Sequence, residues 1–381
     1  FAKPRSRLGC RRIIMTDAVY LDHNATTPLG AAARAAMARA MEGTGNASSV
    51  HGFGRAQRKI VEDAREAVGA LCGAKPANVI FTSGGSEANN TVLRGIKAER
   101  IFVSAIEHPS VLEAHPDAVR VSVGADGVID VDALSALLQE SGGAALVSVM
   151  AANNETGIIQ PLDQVAEIVR AHGTKLHVDA VQAAGKIDIR PVMALADVIS
   201  ISAHKMNGPI GAGAIVVKDG VPFQPLIRGG GQERRRRAGT ENVVALAGFG
   251  AAAADALSGL DTYTQIAQLR DQVEAALADN AKVYGAGAQR LANTLCVGMP
   301  GVAAETQVMS FDLAGLAVSA GAACSSGKVE PSHVLLAMGA NASEAAEAVR
   351  ISFGLGNTEA DVARVIDVWQ TLHQRHAEAA A

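Results

Sequence analysis

Lys205 closes the segment Ser200-Ile201-Ser202-Ala203-His204-Lys205, directly after an apolar run, and an isolated Asp179 ends another apolar run upstream. A lysine ε-amine can form a Schiff base with an aldehyde, and a carboxylate opposite a pyridine nitrogen keeps that nitrogen protonated and makes the ring an electron sink. By itself Lys205 reads as a surface lysine at a strand end, because lysines are mostly exposed. Its neighbours therefore decide its meaning.

Four segments bear on it. In Thr82-Ser83-Gly84-Gly85-Ser86-Glu87 a glycine turn leads into a helix pattern, so backbone N–H groups and the positive helix end could face a phosphate; an ordinary helix cap is the alternative. Glu107-His108-Pro109-Ser110 puts an imidazole after a strand, where it could stack on a flat ring and handle protons, or simply make a turn. Asn153-Asn154-Glu155-Thr156-Gly157 is an Asn-rich turn that could also offer an amide to a substrate carboxylate. In His177-Val178-Asp179-Ala180-Val181-Gln182, Asp179 and Gln182 stand three apart, so one helical turn would aim both at one ligand; Asp179 could instead cap the next helix. In this order the four supply a phosphate cradle, a stacking ring and a ring-nitrogen carboxylate for a Schiff-base lysine. That set fits pyridoxal phosphate.

Such residues must be held by a scaffold. Short apolar runs at residues 79–81, 101–103, 145–149, 176–178, 198–201 and 214–217 alternate with helix patterns at 87–97, 131–140 and 162–172. Buried strands alternating with amphipathic helices predict an α/β fold with a mostly parallel sheet covered on both faces. In such sheets ligands gather beyond the carboxyl ends of the strands, and Ser83, His108, Asn154, Asp179 and His204 all follow these runs. Helix patterns at 242–257 and 263–277 precede a smaller region of mixed strands and helices. The expected division is a segment 15–30 packing with the small domain, a large domain 31–258 and a small domain 259–381.

Composition narrows the function class. The 381 residues are 49% apolar and 19% charged, as in a globular protein with a sizeable core. A net charge of -4 gives no general attraction to nucleic acid or anionic membrane, and no apolar stretch is long enough for a membrane helix. Cys10, Cys72, Cys296 and Cys324 form no C-x-x-C pair, which argues against a disulfide framework or an intrinsic metal site and fits a reducing cytoplasm. Residues 1–14 carry five basic side chains and no acid before Met15, and read as a leader or a remnant of upstream sequence.

From about Tyr20 to the C-terminal helix the chain resembles the cysteine desulfurases of the nitrogen-fixation and iron–sulfur-cluster type, within the aminotransferase class V group of fold-type I pyridoxal-phosphate enzymes. The resemblance is carried by Leu21-Asp22-His23-Asn24-Ala25-Thr26-Thr27-Pro28, Gly45-Asn46-Ala47-Ser48-Ser49-Val50-His51 and the segments above, then by Arg237-Ala238-Gly239-Thr240-Glu241-Asn242, Ala323-Cys324-Ser325-Ser326 and Arg350-Ile351-Ser352-Phe353-Gly354. It implies a large domain built on a seven-stranded-type sheet sandwiched by helices, with a smaller α/β domain carrying the Cys324 loop. It implies that Lys205 forms the Schiff base, Asp179 partners the ring nitrogen, Gln182 donates to the ring phenolate and His108 stacks. Gly85, Ser86, Ser202 and His204 would hold the phosphate, and Thr240 would reach that of a partner subunit in a homodimer. Asn154, also beside the cofactor, and Arg350 would hold the carboxylate of L-cysteine. Cys324 would take the sulfur as a persulfide, leave alanine, and pass the sulfur to an acceptor protein such as a cluster scaffold or thiolation relay; it could also transiently ligate a cluster. A selenocysteine lyase, a small-amino-acid aminotransferase and a pyridoxal-phosphate-binding scaffold in a sulfur-transfer complex are the alternatives. Two departures stand out: Arg235 where the family has glycine, within Arg234-Arg235-Arg236-Arg237, and Ile210 where many relatives have lysine. The arginine run reads as a solvated or subunit-contact face rather than a nucleic-acid site.

Overall fold

The computed structural model describes residues 18–321 and 331–380. Residues 1–14, Cys10 and Cys324 lie outside them. The strands in chain order are β1 Val19–Tyr20, β2 Val79–Thr82, β3 Arg100–Ser104, β4 Val119–Val121, β5 Ala145–Met150, β6 Lys175–Asp179, β7 Val198–Ser202, β8 Gly213–Val217, β9 Lys282–Val283, β10 Thr294–Gly298, β11 Leu316–Ala317, β12 Ser319–Ala320 and β13 Ala348–Ser352.

Seven of them make one sheet in the order β2-β8-β7-β6-β5-β3-β4. Pairing is parallel from β7 through β4, and β8 alone runs against the rest. The α/β reading with a mostly parallel sheet is thus what the chain forms. Its strands are apolar on both sides for a visible reason: Phe81, Phe102, Val147, Val149, Ile199, Ile201 and Val216 face one core, while Ile80, Ile101, Val103, Leu146, Val198, Ile215 and Val217 face the other. The first core is closed by the helices Gly52–Cys72, Val131–Ser141, Leu162–Ala171 and Val243–Ser258, the second by Gly85–Gly95 through Ala88, Val92 and Leu93. Period-two alternation along a doubly covered strand produces this split.

A four-stranded antiparallel sheet, β12-β13-β10-β9, is built from strands at Lys282 and beyond. Val349 and Ile351 of β13 join Leu295, Val297, Phe311 and Trp369 in a third core, which leaves the intervening Arg350 on the opposite side of the strand. The N-terminal segment threads between the sheets: β1 pairs with β11, Leu21 enters the third core, and Thr27 N–H donates to the His204 carbonyl at 2.8 Å. No single helix among the described residues is long and apolar enough to cross a membrane.

Candidate active site

Five strand ends feed one cavity of about 280 Å³. After β2 come Gly85 and Ser86; after β3, His108; after β5, Asn154; at and after β6, Asp179 and Gln182; and at and after β7, Ser202, His204 and Lys205. Asn24 from the N-terminal segment and Arg350 from β13 complete the wall. The carboxyl-edge placement predicted from the runs is therefore the one found.

Lys205 sits in a single 3-10 turn after β7, and its Nζ donates to the Asn24 carbonyl at 2.5 Å and the Ala25 carbonyl at 2.8 Å. Asp179 is buried: Oδ1 accepts the Val181 N–H at 2.9 Å and Oδ2 accepts Asn89 Nδ2 at 2.7 Å. Burial raises its carboxyl above the usual range, against the pull of those two donors, His108 and Lys205. Residues after Asp179 form turns rather than the α-helix expected there, yet Gln182 still reaches the cavity. His108 caps the short helix Pro109–Leu112 by accepting the Ser110 N–H at Nδ1, and burial lowers its pKa. His204 Nδ1 lies 3.2 Å from Thr26 Oγ1, and burial with Lys205 nearby lowers its pKa to about 4. Both imidazoles are held toward the neutral form.

The glycine turn is fixed by what surrounds it. A Cβ on Gly85 would come within 2.9 Å of Val181 Cγ2, and one on Gly213 within 2.7 Å of the Gly84 backbone, so the β2 turn, the β6 turn and the start of β8 close up only around glycine. The helix begins at Gly85, two residues before the predicted start, because the Glu87 carboxylate reaches back to the Ser83 N–H at 2.8 Å. Arg237 holds the same carboxylate at 2.8 Å. Ser202 Oγ, 1% exposed side chain and all, has no hydrogen-bond partner.

Arg350 is 3% exposed; Nη1 donates to the Asn154 carbonyl at 3.0 Å and Nη2 pairs with Asp22 Oδ1 at 2.6 Å. Thr240 is exposed and lies outside the cavity wall of this chain. Cys72 and Cys296 are buried among apolar side chains, and burial lifts the Cys72 thiol to about 12. Among the described residues no His, Cys, Asp and Glu cluster could hold a metal ion.

Sequence reasoning gave no role to Asn24, Asn89, Glu107 or Lys186, which stand in or against this wall. Asn24 lay in plain view within Asp22-His23-Asn24, and Lys186 follows Gln182 by four residues; Asn89 carried no local signal at all. Glu107 is fully buried beside Asp179, accepts the Met150 N–H at 2.6 Å, and has its carboxyl raised well above the usual range by burial first and the Asp179 charge second.

The profile of the aminotransferase class-V family matches residues 19–365. The chain belongs to that family. Among class-V relatives, a protein named cysteine desulfurase from Cereibacter sphaeroides is 43% identical over 368 residues, covering 92% of this chain and 94% of the other. Cysteine desulfurase IscS from Dictyoglomus turgidum is 37% identical, covering 94% and 95%. The solved structure of a NifS-like protein from Rickettsia africae superposes with a TM-score of 0.87 at 33% identity, covering 94% of this class-V chain and 99% of that one.

Proposed function

We propose that this class-V protein is a cysteine desulfurase that binds pyridoxal phosphate, converts L-cysteine to L-alanine and moves the sulfur onto Cys324. The observation that carries this reading is the convergence of Lys205, Asp179 and Arg350 on one cavity in a chain whose relatives bear that name. The residues present fit the cofactor. Ser202 Oγ is a buried hydroxyl lacking a partner at the cavity wall, Gly85 leaves its backbone open there, and the first N–H groups of Gly85–Gly95 need an acceptor.

Gly85, Ser86, Ser202 and His204 would hold the phosphate, Asp179 the ring nitrogen, Gln182 the ring oxygen, and His108 would lie against the ring. When bound, the group supplies an aldehyde that condenses with amines and a ring that stores the electrons left at the substrate Cα. Arg350, already aimed by Asp22 and the Asn154 carbonyl, offers its guanidinium to the substrate carboxylate, and the Asn154 amide adds a second contact. Lys205 Nζ, resting on two backbone carbonyls, takes and returns the Cα proton. In the overall exchange the substrate carbon–sulfur bond breaks, a sulfur–sulfur bond to Cys324 forms, and the thiol proton ends on the methyl group of alanine. A downstream thiol protein then consumes the persulfide. Thr240, exposed here, would serve a partner's phosphate in a homodimer. The large domain would span 31–258 and the small domain 259–381 with Cys324, and the enzyme would work in the reducing cytoplasm.

The test mixes purified protein, pyridoxal phosphate and L-cysteine and follows sulfide under reductant and alanine in parallel, with Cys324→Ala beside it. Equal sulfide and alanine, both lost in the variant, is the expected result. Alanine that forms only when pyruvate and an amino donor are supplied, or undiminished sulfide from Cys324→Ala, overturns the proposal.

A further inference from the structure

Lys186 is 3% exposed, and the charges that bear on it are those of Lys205 and Arg350, not of any carboxylate. Burial first, then those two cations, drive its amine well below the usual lysine range. A lysine is an expensive residue to bury unless its head group is fully used. Here it is used on two amides: Nζ donates to Asn24 Oδ1 at 2.9 Å and to Gln182 Oε1 at 2.7 Å. The turn between Gln182 and Lys186 is fixed by Gly185 at φ 78, where a Cβ would meet Met206 Cβ at 2.7 Å.

A side-chain amide has an oxygen end and an N–H₂ end of nearly equal shape, so a donor placed against one end sets which way the other points. With its oxygen toward Lys186, Gln182 turns Nε2 to the Asn24 carbonyl at 2.9 Å, the same carbonyl that receives Lys205 Nζ. With its oxygen toward Lys186 and Asn293 Nδ2, Asn24 turns its own Nδ2 to the Asn154 carbonyl at 3.2 Å and Thr294 Oγ1 at 2.9 Å. The Asn154 carbonyl in turn receives Arg350. One amine thus sets the sense of two amides, which lie against the cavity on the Lys205 side and the Arg350 side.

We propose that Lys186 is a positioning residue, which orients the Gln182 and Asn24 amides so that Gln182 presents its N–H₂ to the bound ring and the Asn24 carbonyl stays available to Lys205. This rests on reading the cavity as a pyridoxal phosphate site. The test compares wild type with Lys186→Met, which fills the space without a donor. Far-UV circular dichroism checks the fold, dialysis against graded pyridoxal phosphate gives the dissociation constant, and the visible band of the bound cofactor is titrated with pH.

A ring oxygen that loses its oriented donor, beside a site that loses a neighbouring amine, holds its proton more tightly, so the band midpoint rises by about half a unit or more. The dissociation constant rises about tenfold, the effect of one well-placed hydrogen bond. Because Lys186 acts through Gln182 as well as Asn24, the loss of affinity in the double variant Lys186→Met with Gln182→Leu falls short of the sum of the two single losses. A folded Lys186→Met with unmoved midpoint and affinity overturns the proposal, as does full additivity in the double variant. Should Lys186→Met not fold, Lys186→Gln, which can serve one oxygen but not both, decides instead: a partial rise supports the proposal and an unmoved midpoint overturns it. If wild type itself does not bind pyridoxal phosphate, the underlying function falls and this role with it.

Discussion

Asp179→Asn separates two roles that one carboxylate could play. As a turn residue, Asp179 accepts the Val181 N–H at 2.9 Å, and asparagine makes that bond equally well. The other oxygen, now an N–H₂, would face Asn89 Nδ2; Asn89 Oδ1 is buried with no partner, so a flip of the Asn89 amide restores that contact while giving up the Asn89 Nδ2 bond to Ser110 Oγ at 2.9 Å. Stability should therefore fall by about one neutral hydrogen bond, about 1 kcal/mol. What asparagine cannot restore is a negative charge against a protonated ring nitrogen. A hydrogen bond to a charged group contributes about 1.5–3 kcal/mol, which converts to a roughly ten- to hundredfold weaker cofactor. Turnover falls too, because the unprotonated ring stores electrons poorly. Equilibrium dialysis of the cofactor-free protein and a urea melt of the same sample give both quantities. A variant that loses stability while binding pyridoxal phosphate within about threefold of wild type would show that Asp179 is a turn residue only.

Arg235 stands at φ 65, where an L side chain costs about 1 kcal/mol, and it occupies the position at which the resembling family has glycine; Arg235→Gly should raise the unfolding free energy from a urea melt by up to about 1 kcal/mol and leave activity intact. Arg65 and Glu233 pair at 2.7 Å with side chains 5% and 3% exposed, and the Phe81 N–H also leans on Glu233. Arg65→Met strands that carboxylate and should cost about 3–5 kcal/mol in a denaturant melt, while adding Glu233→Gln recovers part of it. His177, bonded at its two ring nitrogens to Ser148 and Ser200, has its pKa lowered to about 3 by burial. A folded value below the unfolded one gives stability that is present above about pH 6.5 and lost as pH falls toward the folded value. From pH 7 to pH 5 wild type should therefore lose about 2 kcal/mol more than His177→Gln in unfolding free energy. Glu155, raised to about 7 by burial, works in the opposite sense but is common to both proteins and cancels.

The strands of the large sheet that stand out in the sequence are those with apolar cover on both faces, β2 at the sheet edge included. Val198-Ile199-Ser200-Ile201 and its companions are continuous apolar runs because each is covered front and back. β4 escaped because it is three residues at a sheet edge with Arg120 exposed in its centre, a pattern no propensity distinguishes from loop. The rim residues were legible because a parallel sheet puts functional groups right after its runs. Their supports were not: Asn24 meets Gln182, Lys205 and Asn293 across separations of 158 to 269 residues, and no local spacing encodes such meetings. The turn at Gln182 escaped for a related reason, since Asp179 bonds the Val181 N–H and Gly185 takes a positive φ, both of which compete with a helix.

The thread from β1 to Thr27 also sets a timetable. Asn24 is made 269 to 328 residues before its partners Asn293, Thr294 and Ser352, and Leu21 likewise long precedes the core around Trp369 that it joins. At about 5–20 residues per second, the N-terminal segment waits tens of seconds on the ribosome for the sheet it joins. During that wait the seven-stranded sheet has everything it needs to form, while the cavity lacks Arg350 and a fixed seat for Asn24. The nascent chain is thus a folded scaffold with an unfinished pocket, whose closure waits for β10 and β13.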